Sequence, residues 1–147
     1  MKKIFSNKPW IRASSFYIRH LVFVQEQKIT LADEFDHLDT DETYYVVLFN
    51  NDMLPISTAR FVDDLDPNDK TFRICRVATL KEFRGRGYGS QCILELEQYG
   101  KEKGFKKSLI HADCTALPFY QSLGYQVCSE IFVEDGVDCV LVNKELI

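Results

Sequence analysis

No stretch of this sequence approaches the ~18 consecutive apolar residues that a membrane-spanning helix needs. The first nine residues, Met1 to Pro9, lack the apolar run of a secretory signal. No C-x-x-C pair occurs among Cys75, Cys92, Cys114, Cys128 and Cys139. An odd, scattered set of cysteines predicts neither a disulfide framework nor a zinc cage. The expected compartment is the cytoplasm, with the cysteines acting as small apolar residues. Asp36, Asp39 and Asp41 lack the glycine and closing glutamate of a calcium loop, so no metal site is expected. Excess positive charge is missing too. The formal net charge is −4, which argues against a nucleic-acid binder as a whole. Internal repeats and low-complexity segments are absent.

What is present fits one globular domain spanning residues 1–147. Hydrophobic residues make up 46% and charged residues 27%, ordinary values for a folded chain of this length. The charge is unevenly spread. Asp33, Glu34, Asp36, Asp39, Asp41 and Glu42 crowd into ten residues that hold no Lys or Arg. Setting these six aside leaves the rest of the chain at a formal +2. Two basic clusters, Lys81/Arg84/Arg86 and Lys101/Lys103/Lys106/Lys107, are either solvated faces or part of a phosphate site.

Apolar spacing predicts a helix from about Trp10 to Gln25. The acidic stretch after it reads as a loop. Tyr44–Asn50 and Leu54–Val62 read as antiparallel strands across the Asn50-Asn51-Asp52 turn, and Thr71–Leu80 as a third strand. Ser90 to about Lys103 reads as a helix with Gly104 just past its end. Lys107–Ala112 is a short strand. Thr115–Leu123 is a helix with Pro118 in its first turn and Gly124 behind it. Gln126–Glu134 and Val137–Lys144 form a hairpin across Asp135-Gly136. The order predicts an α+β domain, a mixed sheet with helices on its faces.

The informative segment is Arg76-Val77-Ala78-Thr79-Leu80-Lys81-Glu82-Phe83-Arg84-Gly85-Arg86-Gly87-Tyr88-Gly89-Ser90. A strand runs into three alternating glycines that open a helix. Glycine lets the backbone approach a ligand closely. The first helical turn offers unpaired N–H groups and the positive end of the helix dipole, a combination suited to a phosphate or pyrophosphate. Ser90-Gln91 follows Gly89 where a P-loop needs Lys-Ser/Thr, and Gly85-x-Gly87-x-x-Ser90 lacks the third glycine of a dinucleotide fingerprint.

Arg84-x-x-Gly87-x-Gly89, after a strand ending Val77-Ala78-Thr79-Leu80, resembles the acetyl-CoA motif of the GNAT superfamily of N-acetyltransferases. Ala116-Leu117-Pro118-Phe119-Tyr120-Gln121-Ser122-Leu123-Gly124-Tyr125 resembles that family's A-x-x-F-Y-x-x-x-G-F/Y pattern. Arg19-His20-Leu21-Val22-Phe23-Val24-Gln25-Glu26-Gln27, with Thr58-Ala59-Arg60-Phe61, resembles a small bacterial single-domain branch of it. The resemblance covers nearly the whole chain.

It implies a GNAT-like fold, with a mostly antiparallel mixed sheet of six to seven strands and helices on both faces. It further implies acetyl-CoA as co-substrate, with the pyrophosphate on the backbone of Arg84, Gly85, Arg86, Gly87, Tyr88 and Gly89. Ser90 and Phe119 complete the cofactor set. The pantetheine arm would pair with Val77, Ala78 and Thr79, which suits a free strand edge. An N–H there would face the thioester oxygen and stabilise an oxyanion. Tyr120 matches the tyrosine that protonates the departing thiolate, as an acid or as a positioning hydrogen bond.

The expected activity is transfer of an acetyl group to a primary amine of an unidentified small molecule or peptide, by direct attack on the thioester. A non-catalytic acyl-CoA sensor is the alternative. Base candidates are Glu26, which follows the first helix, His111, which could instead be a satisfied core residue, and the acidic loop. That loop either attracts a cationic amine or is simply solvated. Some relatives carry a histidine near the position of Cys139 and a glutamine near Asp113, so acceptor preference does not transfer. Members of the family it resembles are often dimers, so the resemblance allows a homodimer, and no membrane or nucleic-acid partner is expected.

Overall fold

Tyr45 through Phe49 are buried without a break, a run that only a strand covered on both faces can satisfy. That strand, β2 (Tyr44–Phe49), lies second from one edge of the sheet in a computed structural model describing residues 1–147. Its neighbours in sequence order are β1 (Lys2–Ser6), β3 (Pro55–Val62), β4 (Thr71–Thr79), β5 (Lys107–Asp113), β6 (Gln126–Val127), β7 (Phe132–Glu134) and β8 (Val137–Glu145). The spatial order is β1-β2-β3-β4-β5-β8-β6, with β7 also paired to β8. Every pairing is antiparallel except β4 with β5.

Successive residues of β3 point to opposite faces and meet different helices. Thr58 bonds Ser15 of α1 (Pro9–Arg19), hydroxyl to hydroxyl at 2.7 Å. Phe61 meets Tyr99 of α3 (Tyr88–Glu102) edge-on at 5.0 Å. Two short helices, α2 (Leu31–Glu34) and α4 (Leu117–Ser122), complete the set. The expected layering is therefore present, but the strand count is eight rather than six to seven. Lys2–Ser6 carries two lysines in five residues and no strand alternation, yet it pairs with Tyr45–Phe49. The single strand expected over Gln126–Glu134 is broken into β6 and β7. Between them the Ser129 hydroxyl accepts the Leu141 N–H at 2.8 Å, replacing a ladder bond.

The helix expected to Gln25 changes character at His20. From His20 to Glu26 it is π-helical, with the Gln27 N–H donating to the Val22 carbonyl. Such widened turns are rare and often lie at functional sites.

Half of the acidic segment, Glu34, Asp36 and Asp39, is drawn into the protein and paired. Arg19 is fully buried and donates from Nε to Glu34 at 2.8 Å and from Nη1 and Nη2 to Asp39 at 2.8 and 2.9 Å. Its guanidinium lies 5.0 Å from the ring centres of both Phe16 and Phe35. Arg60 pairs with Asp36 at 2.9 Å and Asp39 at 3.1 Å. Arg76 pairs with Asp36 at 3.1 Å and Glu34 at 3.3 Å. Tyr45 adds a hydroxyl donated to Asp39. Three guanidinium groups thus face three carboxylates, and the cluster is neutral as a unit. Asp33, Asp41 and Glu42 stay outside and exposed, with Asp41 paired to Arg12.

Burial raises the Asp39 carboxyl, but the bonds and charges of Arg19, with Arg60, outweigh it and hold the group well below the ordinary carboxylate range. Asp36 shifts the same way. A carboxyl whose folded value lies below its unfolded one stabilises the fold fully above the unfolded value. That stability is lost as pH falls through the folded value. The share of stability held by Asp36 and Asp39 should therefore decline below about pH 4, while Glu34, which burial raises, works in the opposite sense. Asp39→Asn should cost about 3–5 kcal/mol in urea unfolding at neutral pH, because it leaves Arg19 and Arg60 short of a charge partner. The variant should also show a flatter acid dependence.

A second constraint sits under α3. A Cβ at Gly100 would lie 2.4 Å from Phe72. Phe72 is held by the Phe61 ring stacked 4.5 Å away and by Phe105 at 5.4 Å, so it has nowhere to move. Alanine is worth about 1 kcal/mol over glycine in a helix, but overpacking costs about 1–3 kcal/mol. Gly100→Ala is expected to lower Tm.

Candidate active site at the fork of the sheet

β4 and β5 pair only over Thr71–Arg73 and Lys107–Leu109. Beyond that the two strands diverge. The cause is visible in the β3–β4 register, which runs Thr58 to Ala78 and then Arg60 to Cys75. Ala59 therefore faces two residues, a β-bulge that bends β4 away from β5. Arg76 takes the bulge at φ +56°, a left-handed conformation that a non-glycine residue adopts at a cost. Its side chain is fastened by the Asp33 carbonyl at 3.0 Å, the Glu34 carbonyl at 3.2 Å and Asp36 at 3.1 Å. The divergence leaves the Val77–Thr79 edge of β4 without a strand partner on that side.

A cleft of about 450 Å³ opens there. Val77, Ala78 and Thr79 form one wall, and Arg84, Gly85, Gly87, Tyr88, Gly89 and Ser90 the second, while Phe83, Ala116, Phe119 and Tyr120 close it. Gly85 and Gly87 hold φ near +80°, which lets the chain turn sharply into α3. Gly87 occupies the N-cap position without a side chain to cap the first turn, and no acidic residue lies in that turn. The first N–H groups of a 15-residue helix therefore point at the cleft with the positive end of its dipole. Arg86, expected beside them, does not line the cleft; its guanidinium lies 5.8 Å from the Phe83 ring centre.

Glu26, expected as a base, is placed differently. Arg84 donates to both of its carboxylate oxygens, at 2.7 and 2.8 Å, and also to the Thr79 carbonyl at 2.9 Å. The hydrogen bonds from Arg84 lower the Glu26 carboxyl. A carboxylate that holds two charge-assisted bonds and ionises more readily than usual is an ion-pair partner of the glycine loop, and a poor proton acceptor.

A second cavity, of about 530 Å³, lies on the other side of Tyr120 and shares Val77 and Ala116 with the cleft. His111 lines it, with its side chain 28% exposed, so this is no core histidine. Its Nδ1 lies 3.1 Å from a Glu134 oxygen, and Phe132 packs edge-on to its ring at 5.7 Å. Glu134 was not foreseen. Its only sequence signal is a position just before the Asp135-Gly136 turn, which folds β7 back onto β8 beside β5. Cys139 also lines this cavity, with its thiol pushed up to about 11 by burial and by Glu134 and Asp113. It is therefore no ready nucleophile. Tyr120 is 8% exposed, and burial, reinforced by Asp113, pushes its phenol well above the ordinary value. It stays protonated and can only donate or accept a hydrogen bond at neutral pH.

A mixed sheet forked at a bulge, with a glycine-bent anion loop at the fork, defines an acyltransferase-type fold. A solved structure from Lactobacillus plantarum, provisionally designated an N-acetyltransferase, superposes with a TM-score of 0.93 at 38% identity, covering 99% of this chain and 98% of the other. The Bacillus subtilis protein YyaT, itself uncharacterised, is 37% identical over 133 residues, 88% of this chain and 85% of its own. An uncharacterised acetyltransferase of Streptococcus pyogenes is 35% identical over 117 residues, 80% of this chain and 77% of its own. The model of the acetyltransferase (GNAT) family matches residues 9–125, and the chain belongs to that family.

Gly87→Val is the sharpest probe of the loop. A Cβ at Gly87 meets nothing within 4 Å, so the substitution acts through its φ of +81° and not through a clash. A strain of about 1–3 kcal/mol should distort the loop. Calorimetric titration should show acetyl-CoA affinity reduced about tenfold or more.

Proposed function

We propose that the protein transfers an acetyl group from acetyl-CoA to a primary amine of a small molecule or peptide, by direct attack of the amine on the thioester. The carrying observation is that the two cavities meet at Tyr120. One is shaped for a pyrophosphate and an extended arm with amides, and the other for an acceptor.

The charges of the second cavity support an amine. Arg60 and Arg76 face Asp36, and Arg73 faces Asp64 at 2.9 Å. Asp113, Glu134 and Asp135 also line the cavity and have no arginine opposite them, so the balance is negative. An ammonium group is favoured there.

On this reading the departing sulfur lies beside Tyr120, which lines both cavities. A thiol ionises near ~8.5, below an upward-shifted phenol. Full proton transfer from Tyr120 to the thiolate is therefore uphill. A short hydrogen bond from its hydroxyl to the developing thiolate stabilises the charge without that transfer. The cytoplasm remains the proposed setting; no helix is long and apolar enough to cross a membrane.

Titration with acetyl-CoA, followed by thiol release across pooled primary amines, tests the reading. Binding with no release in any pool would make the protein an acyl-CoA sensor instead. Tyr120→Phe should lower kcat about 100-fold with nearly unchanged acetyl-CoA affinity; an unchanged kcat would remove Tyr120 from the chemistry.

A further inference from the structure

We infer that His111 is the group that deprotonates the acceptor amine, held in the required tautomer by Glu134. The inference rests on the acetyl-transfer reading and names its missing base.

Three observations carry it. His111 and Tyr120 line the same cavity, so a proton acceptor and the thiolate's hydrogen-bond donor share one space. His111 projects from β5, the strand that diverges from β4 at the fork, on the face turned to that space. Its Nδ1 is 3.1 Å from Glu134, and its ring is steadied by Phe132. An ionised carboxylate can only accept, so Nδ1 carries the hydrogen and Nε2 is left with a lone pair. A histidine oriented by a carboxylate is a recurring base arrangement, because the carboxylate also stabilises the imidazolium that forms. Of the other candidates, Glu26 has both oxygens occupied by Arg84, and Asp36 and Asp39 of the acidic segment are held by Arg19, Arg60 and Arg76.

The proton count closes. The acceptor arrives as an ammonium with three protons on nitrogen. Nε2 of His111 takes one, and the nitrogen lone pair attacks the thioester carbon. The N–C bond forms and the carbonyl becomes an oxyanion. Collapse of that intermediate breaks the C–S bond. The second proton leaves nitrogen and ends on the CoA sulfur, whose thiolate Tyr120 hydrogen-bonds meanwhile. The third stays on the amide, and His111 passes its proton to solvent.

Several titratable or charged groups share this cavity with His111. They are Asp113 on β5, Glu134 and Asp135 at the hairpin, Cys139 on β8, Tyr120 on α4, and Arg73, Cys75 and Arg76 on β4. Asp36, Asp64, His37 and Arg60 line it as well. The test must therefore isolate His111 by a pH profile and not by rate alone.

The experiment measures acetyl-CoA binding by calorimetry and kcat/KM for CoA release from pH 5 to 9. It uses intact protein with spermidine, cadaverine, a lysine-containing peptide and an amino sugar as acceptors. His111→Gln should bind acetyl-CoA as wild type does. It should lose about 10²–10⁴-fold in kcat/KM and lose the fall in rate on the acidic side. Glu134→Gln should lower kcat with little change in KM and leave acetyl-CoA binding unchanged, because the ring is no longer held in the tautomer that frees Nε2. A merely structural histidine would leave the acidic fall in place. His111→Gln with wild-type rate and profile would overturn the inference while leaving the transferase reading intact. Wild-type protein that binds no acetyl-CoA, or turns over none of these amines, would overturn the reading and the inference with it.

Discussion

The fold depends on an ionic cluster built around one buried arginine. Arg19 cannot sit at the foot of α1 without anions to meet it, since an unpaired guanidinium in an apolar interior is prohibitive. The sequence supplies them fifteen and twenty residues later, in Glu34 and Asp39. Drawing these inward drags the whole acidic segment across the sheet, where Arg60 and Arg76 complete the neutral set. The same contacts hold Arg76 in its left-handed backbone conformation. The bulge, the divergence of β4 from β5 and the cleft between them all rest on that residue. A network that looks purely structural therefore sets the geometry at which a thioester could be presented.

The two cavities are coupled through more than their shared wall. Arg84 joins the glycine loop to the end of the π-helical turn through Glu26, and to the edge of β4 through the Thr79 carbonyl. The glycine loop, the π-helical turn and the β4 edge thus meet at a three-way junction whose parts are far apart in sequence. Tyr120 plays the equivalent part from α4, which Phe119 seats against the start of α3 near Gly89.

Much of the fold was legible because it is written locally. Glycines at 85 and 87, Pro118 and the Asp135-Gly136 turn each act through backbone geometry, and the elements they bound fall within a few residues of expectation. The lining of the cleft was legible for the same reason, since loop and strand edge are contiguous in sequence. The lining of the second cavity was not. The pairing of His111 with Glu134 depends on β7 folding back along β8 next to β5, which no local pattern announces. The acidic segment misled because charge density reads as solvation unless its cationic partners, at positions 19, 60 and 76, are known to converge on it. Glu26 misled because its neighbour in space, Arg84, lies 58 residues away. Lys2–Ser6 was missed since a short edge strand with one covered face carries too few residues to show alternation.

That edge strand has a bearing on the behaviour of the chain in a crowded solution. An open sheet of eight strands exposes two rows of unpaired backbone groups, each a template for another copy's strand. Here one row belongs to β1, five residues long and led by Lys2 and Lys3. The other belongs to β6, only two residues long, and to β7, which is three. A neighbouring chain would find either like charge or too few bonds to register against. The sheet can thus stay open at its fork, where the proposed pairing with a cofactor arm would need free backbone, and still resist growing into fibres at its ends.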